Sequence, residues 1–90
     1  MKHASAASLD LLEGLLRQIR THAGLKEKSR GVFYFRSRAV LHFHEDPAGL
    51  FADLRTQADW DRYPVNTKAE QSALLADVAA FLGNSCLGNS

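Results

Sequence analysis

Between residues 8 and 23, Leu9, Leu12, Leu16 and Ile19 recur at steps of three and four, while Asp10, Glu13, Arg17 and Arg20 lie elsewhere around the wheel. That period predicts an amphipathic helix. Ser8 suits its N-cap, because a serine hydroxyl accepts from an otherwise unpaired backbone N–H, and Gly24 suits a stop just past its end. Leu11 and Leu15 widen the apolar stripe enough to cover a second neighbour. The polar run LKEKSR then reads as a connection, and the pattern changes to GVFYFRSRAVLHFHED, where β-branched and aromatic residues dominate. This predicts a hairpin: one strand over about 31–36, a turn on Arg36, Ser37 and Arg38, and a second strand over about 39–44.

Asp46, Pro47, Ala48 and Gly49 match a tight turn, and a third strand follows over 50–55. TQADWDRYPV is read as an irregular segment or edge strand pinned by Trp60, since Pro64 argues against a central strand. Thr67 and Glu70 have the spacing of a capping box, and Leu74, Leu75, Val78, Phe81 and Leu82 give the last helix a continuous apolar face. Gly83 and Asn84 are expected to end it, leaving SCLGNS as a loose tail. The fold class expected is α+β: α-β-β-β-α, an antiparallel three-stranded sheet with a possible short fourth strand and two helices packed on one face. Residues 1–90 form one small domain in this reading, with an ordered core over about 8–83 and tails at 1–7 and 84–90.

Composition changes this picture only by exclusion. A formal charge of +1 creates no strong global field toward nucleic acid or an anionic membrane, so such contacts need a local patch. The one cysteine, Cys86, cannot pair within the chain, which fits a reducing cytoplasm. No apolar run approaches the roughly 18–20 residues that span a bilayer.

The candidate chemistry sits on the second strand. Side chains two apart in a strand point the same way, so His42 and His44 share a face with Val40, while Leu41 and Phe43 share the other and face the helices. A His-x-His pair becomes a metal arrangement, for zinc or another divalent ion, when a third ligand arrives from a neighbouring strand, and Asp53 is the natural third. Register decides whether it arrives. If Pro47 and Ala48 alone form the loop, His42 sits opposite Asp53 and Phe51 joins the open face; if Gly49 belongs to a three-residue loop, Asp53 turns to the helices. The plain alternative is a pair of solvated histidines on an exposed sheet face.

Glu45 and Asp46 do not read as an acid/base pair, because adjacent carboxylates at a strand end diverge. No Gly-x-Ser-x-Gly or P-loop is present, and no catalytic residue is assigned. Lys26, Lys28, Arg30, Arg36 and Arg38 cluster around the hairpin as an anion or nucleic-acid patch, and RGVFYF resembles the RNP1 strand of RNA-recognition motifs, although the element order differs. The open face, with Val32, Tyr34, Val40, His42, His44 and Phe51, also suits association with a second copy or a protein partner. The reading favoured on sequence is a binding or assembly domain, not an enzyme, working through that face.

The run KSRGVFYFRSRAVLHFHEDPAGLFADLR with DWDRYPVNTKAE resembles small uncharacterised bacterial proteins over about residues 28–82. The architecture is similar, at the level of fold alone, to the MmcQ/YjbR-like proteins. Neither resemblance implies a catalytic residue.

Overall fold

The computed structural model describes residues 2–55 and 59–87. Nine elements follow in order: β1 Lys2–His3, α1 Ala6–Leu11, α2 Glu13–Arg20, β2 Lys26–Ser29, β3 Val32–Phe35, β4 Arg38–Asp46, β5 Gly49–Arg55, β6 Trp60–Pro64 and α3 Lys68–Leu87. The α+β class holds, but the sheet has six antiparallel strands where three or four were expected. Its order is β2-β3-β4-β5-β6, with β1 also paired to β4. The two additional strands are polar ones. β2 has no hydrophobic alternation to announce it; it forms because the edge of β3 offers unpaired backbone groups, and its own charges keep the new edge soluble. β1 is two residues long and continues along β4 beyond the point where β3 stops, in what was expected to be a tail.

The single helix expected over 8–23 is two. Ser5, not Ser8, is the N-cap, accepting from the Ser8 N–H at 3.3 Å. Leu12 separates α1 from α2, its N–H shared between the Ser8 and Leu9 carbonyls. α2 ends at Thr21 rather than at Gly24, with the Thr21 hydroxyl donating to the Gln18 carbonyl at 2.7 Å. Gly24 serves a close approach instead, since a Cβ there would stand 3.2 Å from the Phe35 ring. At the other end α3 runs through Gly83 to Leu87; that glycine meets nothing, and its helical cost of about 1 kcal/mol is too small to stop a helix of this length. The capping box is as expected, with Glu70 N–H donating to Thr67 Oγ1 and Thr67 N–H to Glu70 Oε1.

β3 and β4 are joined by Arg36 and Ser37, both with positive φ, the conformation whose twist suits a two-residue hairpin. Between β4 and β5, Asp46 pairs with Gly49, so Pro47 and Ala48 alone form the loop, and Asp46 Oδ1 accepts from the Ala48 N–H at 3.0 Å. This is the two-residue register. Leu41, Phe43, Ala52 and Leu54 point to the helices, where with Phe33 they join Leu12, Leu15, Leu16 and Ile19 from one side and Leu74, Val78 and Leu82 from the other in one buried cluster. Phe35 meets Phe81 of α3 edge to face at 5.7 Å. β6 is an edge strand closing on Pro64, and beyond it Asn66 imitates a strand residue, its side chain accepting from Leu50 N–H at 2.8 Å and donating to Leu50 O at 3.2 Å. Among the described residues no helix is long and apolar enough to cross a membrane.

Candidate metal centre

With the helices on one side, the opposite side of the sheet carries the histidines. His42 lies between Val32 of β3 and Asp53 of β5, and Arg62 of β6 is the next residue in that row. His44 lies between His3 of β1 and Phe51 of β5. The two rows stand two residues apart along β4, so the side chains of both face the same way and meet diagonally. The imidazoles of His42 and His44 touch edge to face with centroids 4.6 Å apart, and His3 comes within 5.2 Å of His44 and 5.9 Å of His42. Trp60 walls the other side of His42 at 4.6 Å; Arg55 lies over the indole and donates through Nε to the Ala39 carbonyl at 3.2 Å.

One ligand atom each from His42, His44 and Asp53 lies within 4.8 Å of the others. Bonds of about 2.0–2.1 Å to a tetrahedral ion place ligand atoms about 3.3 Å apart, so the set would have to draw in from its present spacing to share one ion. Asp53 is only 6% exposed, and its carboxylate is aligned side-on with Arg62, Nε to Oδ1 at 2.9 Å and Nη2 to Oδ2 at 3.2 Å. Burial pushes this carboxyl up, but the Arg62 guanidinium outweighs it and holds the group below its ordinary value. Asp53 is therefore an anion, with Oδ2 turned toward the rings. His44 Nε2 stands 3.1 Å from Oδ2, near enough for an ion pair were the ring protonated, yet not aimed along a hydrogen bond.

Burial first, and the neighbouring His44 second, pull the His42 pKa below its usual value. Neutral imidazole is the form that binds metal. Nδ1 of His42 and both ring nitrogens of His44 are buried without a hydrogen-bond partner among the described residues. An unsatisfied buried polar group costs about 1–3 kcal/mol; that cost falls on the two Nδ1 atoms, whereas His44 Nε2 has the Asp53 carboxylate beside it.

No family model matches the chain, and no curated protein or solved structure matches it either. The functional reading therefore stands on this geometry.

Of the residues singled out on sequence, the structure brings His42, His44 and Asp53 together and places Phe51 beside them. Tyr34 stands elsewhere: Val32, not Tyr34, is opposite His42, while the Tyr34 ring lies at the hairpin end under the Lys28 ammonium at 4.5 Å. Val40, the extra residue where the register shifts between β3 and β4, is only 3% exposed and offers no surface. The basic cluster divides as well. Lys26, Lys28 and Arg36 line a concavity of about 330 Å3 with Tyr34, whereas Arg30 turns to the helices and pairs with Asp10 and Glu13; Arg38 is exposed at the turn. Sequence reasoning missed His3, Trp60 and Arg62 as members of the histidine site. Arg62 was accessible in principle, since a strand at 60–64 paired to β5 puts it opposite Asp53; His3 was not, because two residues carry no periodicity.

Proposed function

We propose that this protein is a binding domain whose working part is the sheet face opposite the helices, and that the group it holds there is a divalent transition-metal ion of the zinc class. His42, His44 and Asp53 supply the ligands, and two imidazoles with one carboxylate make a borderline set suited to zinc, cobalt or nickel more than to calcium or magnesium. The observation that carries this reading is the convergence of three ligand atoms within 4.8 Å, with buried ring nitrogens lacking partners. Arg62 would remain on Oδ1 as the outer partner that orients the carboxylate. A solvated pair of histidines would show neither the burial nor the convergence.

The test is calorimetric titration of chelator-stripped protein with zinc at neutral pH, beside a His42→Ala/His44→Ala variant. One equivalent is expected to bind the wild type and none to bind at this site in the variant. Affinity should fall in acid, where protons compete for the imidazoles, and for His42 that competition sets in below the ordinary histidine value because burial disfavours its charged form. Equal uptake by both proteins would contradict the reading. Ion binding also suits this face better than self-association, because the large hydrophobic residue left exposed among the described ones is Leu11, on α1 rather than the sheet.

A second reading concerns the hairpin end, where Lys26, Lys28 and Arg36 gather around one concavity with an aromatic ring in it, an arrangement suited to a phosphate-bearing ligand such as nucleic acid. Arg30 does not contribute, since its charge is already spent on two carboxylates.

A further inference from the structure

We propose that β1 is a metal-responsive strap: His3 enters the coordination sphere as a third imidazole, so that occupancy of the site and docking of residues 2–4 onto β4 reinforce each other. This rests on the metal reading of His42, His44 and Asp53. His3 is the cross-strand partner of His44, which sends both side chains to the same face. Its ring already stands within 5.2 Å of His44 and 5.9 Å of His42, and it is exposed rather than packed into the core. A carboxylate and two imidazoles leave one position of a tetrahedral ion open; a third imidazole closes it.

The strap is lightly held without such a bond. Two residue pairs join it to β4, the Ala4 N–H donates to the Phe43 carbonyl at 3.1 Å, the Lys2 ammonium stands 3.5 Å from Glu45 Oε2 in a largely exposed ion pair, and Glu45 accepts from the Ser5 N–H at 2.6 Å and from the Ser8 hydroxyl at 3.0 Å. A segment with so few interactions opens locally at little cost, and a ligand that bridges it to the sheet shifts that equilibrium toward the docked form. The coupling is reciprocal: whatever zinc contributes to docking, docking contributes to zinc affinity.

The experiment compares wild type with His3→Ala and Glu45→Gln by zinc calorimetry and by the solvent-exchange rate of the Ala4 amide. Zinc should slow that exchange in the wild type. His3→Ala, which alters an exposed residue outside the core, should still bind through His42, His44 and Asp53, but about tenfold or more weakly, and zinc should no longer slow Ala4 exchange. Glu45→Gln touches no ligand, yet by loosening the strap it should also weaken zinc. Unchanged affinity in His3→Ala, or zinc protection of Ala4 that survives that substitution, overturns the strap while leaving the three-residue site intact. If the wild type binds no zinc, it is the site itself that fails.

Discussion

Gly31 has φ of +80°, and a Cβ built on it would lie 2.7 Å from Leu9 Cδ2. Both facts make glycine necessary at this point of the β2–β3 turn, where the chain must reverse directly beneath α1. Gly31→Ala should lower stability by about 1–3 kcal/mol, read as a lower urea midpoint with an unchanged slope. A midpoint equal to wild type would show that the turn relaxes freely. The sequence marks Gly31 only as the start of a strand, because its requirement comes from Leu9, twenty-two positions away in the chain. Asp53 differs. Its role was readable as one of two alternatives, and a single loop residue chose between them: Gly49 pairs with Asp46 instead of joining the loop.

At the scale of elements, the helices and the β2–β3 unit are tied by an ion network in which Glu13 accepts from both Arg20 and Arg30 while Arg20 also reaches Glu27. Arg20 foremost, then Arg30, hold the Glu13 carboxyl down from 4.5 to about 2. The unfolded chain therefore takes up a proton between those values that the folded chain refuses, so this contribution is complete above about 4.5 and is lost as pH falls toward 2. Glu13→Gln should flatten part of the acid limb of a stability-versus-pH curve; an unchanged slope would show that the network adds nothing. Glu45, also held to about 2, by the Ser5 backbone first, keeps its own share of that slope. Elements with strong periodicity, the hydrophobic strands and α3, were legible from the sequence. β1 and β2 were not, because neither is driven by its own side chains: each is recruited by an unpaired stretch of a neighbour's backbone. The split at Leu12 was hidden for a related reason, since the apolar period continues through it.

Across the whole molecule, one buried cluster running from Leu9 to Leu82 fixes the sheet's inner face. By the alternation of a strand it thereby fixes the outer one. Leu41 and Phe43 cannot face the helices without His42 and His44 facing away, and the two-residue loop then brings Asp53 to them. The candidate site is thus a consequence of core packing plus one loop length. Its position on the outer face was foreseeable; its enclosure by Trp60, His3 and Arg62 depended on strands whose pairing only the fold supplies. The most direct measurement is a nitrogen-resolved NMR titration of the imidazole rings with zinc at neutral pH, in which His22, just past the end of α2 and outside the histidine cluster, serves as an internal reference. The predicted result is that ring nitrogens of His42 and His44 shift together and saturate at one equivalent while His22 does not respond. Rings that stay unmoved, or that shift no more than His22, would contradict the account.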